Sequence, residues 1–203
     1  MIQDIVLIIA TYLLGSVSSG IIACKIMRCP DPRTEGSKNY GATNVLRICG
    51  KKAAALTLAG DMLKGFIPVL IAHVLHYPNF TPAWVFASVG MAAFLGHLYP
   101  IWFNFKGGKG VATALGVQLS LHWMIGGAVV GLWLINFKLF HISSLSALIS
   151  MAIAPVILWL VWPSSELLAM QIIMSALLFW QHRSNIQRLM EGTEEKVKVA
   201  DED

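Results

Sequence analysis

Residues 111–137 read V-A-T-A-L-G-V-Q-L-S-L-H-W-M-I-G-G-A-V-V-G-L-W-L-I-N-F, and the way this run divides decides the fold. Taken whole, it is one long membrane crossing. Broken at His122 and Trp123, it becomes two short ones, 111–121 and 124–137, each below the roughly 20 residues that a straight helix needs to span hydrocarbon. Charge separates the two readings. Lys106 and Lys109 precede the run and Lys138 follows it, so a single crossing would place them on opposite faces and two crossings place them on one. Cytoplasmic loops collect Lys and Arg, so the broken reading is preferred.

Five more apolar runs extend outward from this one, at 5–24, 54–75, 83–102, 143–161 and 166–181. With 56% of 203 residues hydrophobic and only 13% charged, and a mean hydropathy of +0.66, the chain is too apolar for an ordinary soluble domain. The expected fold is an all-α integral membrane protein of seven transmembrane helices, with the N-terminus outside and the C-terminus cytoplasmic. Basic residues cluster between 25 and 52, at 106 and 109, at 138 and from Arg183 onward, while the connections near 76–82, 122–123 and 162–165 carry none. One membrane domain, 1–190, is expected to hold all the chemistry, and the acidic tail 191–203 is expected to be disordered.

The first run has its positive charges after it and Gln3 and Asp4 before it, so it is expected to stay as an anchor, not to be cleaved. A net charge of +4 suits an anionic membrane surface and calls for no nucleic-acid partner. Cys24, Cys29 and Cys49 lack CxxC spacing and fall on the cytoplasmic side, where they are expected to be reduced packing residues. Asp61 and Lys64, three apart in the second run, can pair, and at that depth their shared face must look toward protein or a wet cavity.

Three polar stretches share the basic face. The first, at 31–47, is D-P-R-T-E-G-S-K-N-Y-G-A-T-N-V-L-R, in which permissive glycines flanked by Arg and Lys suit an anion such as phosphate, with Asn39 and Asn44 as further donors. The second, F-K-G-G-K-G-V-A-T at 105–113, places Lys106, Lys109 and glycines 107, 108 and 110 before a helix start, where free N–H groups and the positive dipole end converge. It is not a Walker loop, because Lys109 is followed by glycine. Ser143 and Ser144 open another helix on the same side. In the third stretch, H-R-S-N-I-Q-R-L at 182–189, His182, Asn185 and Arg188 or Leu189 follow at i, i+3 and i+6, so that His182 and Asn185 share a helical face. There is no GxSxG, no HExxH, no carboxylate cluster at metal spacing, and no His followed five positions later by Asp, so neither a metal nor another cofactor is expected.

In order and length, these three stretches resemble the cytoplasmic motifs of the PlsY family, bacterial inner-membrane acyltransferases that transfer an acyl group from acyl phosphate to glycerol 3-phosphate. The resemblance implies an active site of Ser37, Arg47, Lys106, Gly107, Gly108, Gly110, His182 and Asn185, with Ser143 in the phosphate-binding wall. It also implies sn-1 acylation at the cytoplasmic face, lysophosphatidic acid and inorganic phosphate as products, and a soluble enzyme that supplies acyl phosphate as a partner. Ser18 stands where many relatives have proline, which bears on the shape of the first helix. Acyl phosphate is already activated, so no covalent nucleophile is demanded. The proton of the attacking hydroxyl goes to His182 or to a substrate phosphate; the favoured expectation is that His182 donates a hydrogen bond to phosphate, and the alternative is that it acts as a base with an activity limb near neutral pH. A transporter or channel for an organic phosphate is the alternative function. It fits less well, since the basic groups lie on one face with no polar path beyond.

Overall fold

The computed structural model describes residues 1–79 and 81–197, and among these every regular element is helical. The helices are α1 (Ile2–Gly15), α2 (Ser19–Ile26), α3 (Ala42–His76), α4 (Ala83–Leu98), α5 (Val111–Leu121), α6 (Trp123–Phe140), α7 (Ser143–Val161), α8 (Ser165–Gln181) and α9 (Arg183–Met190), with a 3-10 turn at Ile101–Phe103. Four segments, α3, α4 continued through the 3-10 turn to Phe103, α6 and α7, are long and apolar enough to cross a membrane, α1 with α2 makes a fifth candidate bent by 45°, and α5 and α8 are shorter apolar helices.

The run 111–137 is broken where its polar residues stand. His122 is extended (φ −159°, ψ 127°) and its ring accepts the N–H of Met124 at the start of α6. α6 then folds back along α5, so that a side chain on Gly126 would lie 2.4 Å from the Leu119 side chain. In one continuous helix those residues would be about 10 Å apart along the axis.

Two other boundaries move. The first apolar run bends at 16–18, where Ser18 caps α2 by accepting the Ile21 N–H at 3.4 Å. A serine thus terminates one segment and starts the next through its side chain. α3 starts at Ala42, well before the apolar run, because 42–49 form a separate helical piece joined at Gly50, whose φ of 83° disfavours an L side chain. The polar stretch 31–47 is therefore loop up to Gly41 and helix from Ala42 onward.

The core is a seam of Phe86, Phe94, Leu98, Met151, Leu158, Met174 and Leu178, all almost fully buried. Outside it the usual pattern is inverted. Ile5, Val6 and Ile9 of α1, Leu134 and Ile135 of α6, Val156 and Leu160 of α7 and Ile172 of α8 are exposed, as expected of helix faces solvated by lipid tails. α5 seats deeply on α3 because both use glycine at the crossing: a Cβ on Gly65 would meet the Thr113 carbonyl oxygen at 2.3 Å, and one on Gly116 the Met62 carbonyl oxygen at 2.0 Å. Gln118, wholly buried, donates to Gln171 of α8 at 2.9 Å.

One cysteine expectation is corrected. Cys29 and Cys49 form a disulfide, with Cα atoms 5.7 Å apart, and only Cys24 is a buried free thiol. The end of α2 and the first piece of α3 run side by side, a juxtaposition that spacing along the chain does not reveal.

Candidate functional site

Asn44, in the first turn of α3, builds the loop that precedes it. Its carboxamide oxygen accepts the Ser37 N–H at 2.8 Å, and its NH2 group donates to the carbonyls of Pro32, Glu35 and Asn39 at 3.0, 3.2 and 2.9 Å. Asn39 closes the last turn by accepting the Gly41 N–H at 2.9 Å. Every polar atom of the Asn44 side chain is spent on the loop, and the Asn39 carboxamide oxygen is spent there too. Asn44 thus shapes the stretch, where the sequence reading had it contacting substrate. Arg33 is likewise clamped by Asp31, Nη2 to Oδ2 at 2.6 Å, and its guanidinium lies over the Phe103 ring.

The scaffold brings the starts of α3 and α7 together, and the loop before α5 reaches the same cluster through Lys109. α3 begins at Ala42, α5 at Val111 and α7 at Ser143, and none has an N-cap side chain bonded to its free N–H groups. The hydroxyls of Thr43 and Ser143 lie 3.2 Å apart and tie the starts of α3 and α7 to each other. Unpaired N–H groups and positive dipole ends in one place favour an anion.

Cations surround this point. Lys109, two residues before α5, donates to the Asn185 carboxamide oxygen. Arg188, one turn further along α9, and Arg47, from the first piece of α3, both act on the charge of Lys109. Glu194 sits among them: Ser144 Oγ donates to its Oε1 at 2.6 Å, Asn185 Nδ2 to the same atom at 2.5 Å, and Arg188 Nε to its Oε2 at 2.6 Å. Glu195 pairs with Arg47 at 3.2 Å.

Composition implied a disordered tail from residue 191. Instead Gly192, at φ 68°, turns the chain back, Thr193 N–H bonds the Arg188 carbonyl at 2.8 Å, and Val197 N–H bonds the His141 carbonyl at 2.8 Å. The rest of that tail, 198–203, lies outside the described residues.

Electrostatics set the protonation states. Withdrawal from water lowers the Lys109 ammonium to about 8; Glu194 opposes this, and Arg188 and Arg47 add to it. His182 is 3% exposed, and burial, followed by the Lys109 charge, takes it down to about 4. Its Nδ1 lies 2.8 Å from the Leu178 carbonyl oxygen, which can only accept. The neutral ring therefore carries its proton on Nδ1 and leaves Nε2 as a lone pair. In this tautomer the ring offers Nε2 as an acceptor, so a hydrogen bond donated to phosphate from that nitrogen requires the ring to be protonated first.

Glu194 is held below the usual carboxylate range by its bonds to Ser144, Asn185 and Arg188, against the opposing effect of burial. A carboxyl with a lowered folded value contributes stability above its ordinary value of 4.5, and that contribution is lost as the pH falls through the folded one. Glu194→Gln should therefore lower the melting temperature at pH 7 by about 5 °C. The gap to the parent protein should close in acid. A pH-independent gap in thermal unfolding would show that the charge is not what matters.

The glycine loop is explained first by packing. Gly108 N–H donates to the His97 carbonyl at 3.1 Å, so this N–H is already used. A Cβ on Gly107 would lie 2.0 Å from that same carbonyl oxygen, and one on Gly108 2.2 Å from the His97 ring. Gly110, at φ 85°, ends the loop as the N-cap of α5.

Of the residues singled out from sequence, Arg47, Lys109, Ser143, His182 and Asn185 converge. Ser37 and Lys106 are exposed, and no bond ties their side chains to the cluster. Four groups at the site were not on that list: Thr43, Ser144, Arg188 and Glu194. Arg188 had a signal in its three-residue spacing from Asn185. Ser144 was an open choice against Ser143, and its hydroxyl donates to the Glu194 carboxylate. Glu194 gave none, since an acid in an acidic tail reads as solvated.

Comparison with known proteins gives one consistent result. The sequence model of the family described as "Glycerol-3-phosphate acyltransferase" matches residues 5–192. A glycerol-3-phosphate acyltransferase of Methylococcus capsulatus is 53% identical over 92% of this chain and 92% of its own length. One of Thioalkalivibrio sulfidiphilus is 49% identical over 94% and 92%. Among solved structures, crystalline PlsY (YgiH), an integral membrane glycerol 3-phosphate acyltransferase in its glycerol 3-phosphate form, superposes with a TM-score of 0.90 at 39% identity, covering 97% of this chain and 96% of that one. Its lysophosphatidic acid form gives a TM-score of 0.87 at 38% identity.

Proposed function

We propose, on the premise that this chain belongs to the glycerol-3-phosphate acyltransferase family and acylates glycerol 3-phosphate, that its acyl donor is an acyl phosphate and that the acyl group goes to the sn-1 hydroxyl. The observation that carries this reading is the meeting of Lys109, Arg47 and Arg188 beside the uncapped starts of α3 and α7. Two phosphate-bearing substrates repel each other, and a cluster of fixed cations and N–H dipoles offsets that repulsion and orients both.

The sn-1 oxygen attacks the acyl carbon, the bond from that carbon to the phosphate oxygen breaks, and inorganic phosphate departs with the bond's electron pair. The hydroxyl proton passes to Nε2 of His182 and then to the released phosphate. Asn185, held at one end by Lys109 and at the other by Glu194, orients the Lys109 ammonium. Lysophosphatidic acid remains at the lipid surface. The decisive assay gives purified protein labelled glycerol 3-phosphate with palmitoyl phosphate, palmitoyl coenzyme A or a palmitoyl carrier-protein thioester in turn. Lysophosphatidic acid should form from palmitoyl phosphate alone. Formation from a thioester, with none from palmitoyl phosphate, contradicts the proposal.

The same reading places the chain in a bacterial inner membrane with seven crossings, the N-terminus outside and the site at the cytoplasmic face, where a soluble enzyme delivers acyl phosphate. Cysteines introduced beside Lys106 and Lys138 should then resist an impermeant thiol reagent in intact cells, and one at Asn79 should react. Labelling beside Lys138 but not Lys106 would restore a six-crossing topology.

Arg47 offers a planar fork of donors where Lys offers a point charge. Arg47→Lys should therefore lower kcat/KM by about 30-fold, as expected for loss of a bidentate phosphate contact. Full activity in that variant would assign Arg47 to topology alone.

A further inference from the structure

Away from the substrate cluster, the membrane interior holds an ionic group that the reaction has not used. Asp61, Lys64 and His97 are 3%, 6% and 7% exposed. Lys64 Nζ lies 2.9 Å from Asp61 Oδ1 and donates to the Val17 carbonyl at 2.8 Å. His97 Nδ1 lies 3.6 Å from the same Asp61 oxygen.

Charges this far from water are costly, and a pair of packed apolar side chains would serve packing as well. Each member here has a separate attachment. Lys64 satisfies a carbonyl exposed where the chain bends between α1 and α2. Asp61 stands between Lys64 and His97. His97 carries the glycine loop, through its carbonyl on Gly108 N–H and through its ring against the Gly108 Cα. The residue after Gly108 is Lys109. A cavity of about 10 Å³, the room of a single water, separates Ser16, Ser18, Tyr40, Lys64, His97 and Gly108.

We propose that Asp61, Lys64 and His97 are positioning residues for glycerol 3-phosphate: through the contact of the His97 ring with Gly108 they fix the glycine loop, and with it the Lys109 ammonium. This rests on the reading of Lys109 as a phosphate ligand. The bent α1–α2 segment, α3 and the glycine loop are thereby held in one frame, and of the residues that touch His97 it is the loop that leads to Lys109.

The two glycines give a test that general destabilisation cannot imitate. The three atoms nearest a methyl group on Gly108 would all belong to the His97 ring, whereas one on Gly107 would collide with the main-chain oxygens of His97 and Leu98 and with Pro100. Gly108→Ala should therefore weaken glycerol 3-phosphate binding by about tenfold, the scale of a sub-ångström misplacement, and His97→Ala by about fivefold. In the double variant His97→Ala/Gly108→Ala the methyl fills vacated space, and binding should fall no more than about threefold below that of His97→Ala. Gly107→Ala should gain no relief from His97→Ala.

Binding is read by calorimetry with glycerol 3-phosphate on the detergent-purified full chain, with KM and kcat alongside. Affinity and KM should move together while kcat changes little. Additive losses in the double variant, or equal relief at Gly107, overturn the proposal. If Gly108→Ala does not fold, Asp61→Asn takes its place: it keeps the shape and removes the charge, and an unchanged dissociation constant overturns the proposal as well. No acyl donor enters the binding measurement, so a wrong donor leaves the test intact. Unaltered binding in Lys109→Met would instead refute the phosphate-ligand reading on which the proposal stands.

Discussion

Lys109→Met should lower kcat/KM for glycerol 3-phosphate by about 1,000-fold, the upper range for removing one preorganised donor from a site where charge is transferred. The ammonium is the group on which the site converges: Asn185 accepts from it, and Arg47, Arg188 and Glu194 all act on its charge. Its pKa of about 8 adds a signature. A lysine lowered to this value is cationic at pH 7 and loses its proton as the pH rises through 8, so kcat/KM should fall on the alkaline side with that midpoint. Lys109→Arg keeps the charge at every accessible pH. It should retain much of the activity and lose the alkaline limb. A limb that persists in Lys109→Arg would assign the titration to another group.

His182→Asn should reduce kcat by about 100-fold to 1,000-fold with little change in KM, because what is lost is a proton acceptor. The ring commits Nδ1 to the Leu178 carbonyl and is neutral down to about pH 4 in the free enzyme. Hence no limb belonging to His182 should appear in kcat/KM between pH 6 and 8, contrary to the near-neutral limb expected of an unperturbed histidine base. A bound phosphate dianion raises the imidazole value, and the limb in kcat should lie above that in kcat/KM. If KM rose tenfold or more with kcat preserved, His182 would be a phosphate ligand.

These two residues also show what can be read from the chain. His182 and Lys109 stand out in sequence because each is a polar group beside an apolar run, and a costly residue in such a place has a use. The bounds 111–121 and 143–161 were legible for the same reason: glycines and serines mark helix starts, and the histidine at 122 marks a stop. Protonation was not legible. A sequence gives His182 its ordinary value, and it is burial in the fold, followed by the Lys109 charge, that lowers it.

Contacts between distant stretches were hidden as well. Asn44 looked like a donor for substrate, and its four bonds to the loop depend on how 32–39 fold over the start of α3. Glu194 looked like tail, and the αL turn at Gly192 returns it to Asn185 and Arg188. The Asp61 and Lys64 pair was foreseen from three-residue spacing, but its extension to His97 and the glycine loop crosses between helices.

The central claim is that the basic cluster brings two phosphate-bearing substrates together for direct transfer, with no acyl group ever held on the protein. Rapid-quench measurement of inorganic phosphate, with acyl phosphate in modest excess over purified protein, tests it most directly. Without glycerol 3-phosphate no phosphate should be released on the turnover timescale, and on its addition one phosphate should appear for each lysophosphatidic acid. A burst of one phosphate per protein before glycerol 3-phosphate is added would reveal an acyl-enzyme and contradict direct transfer.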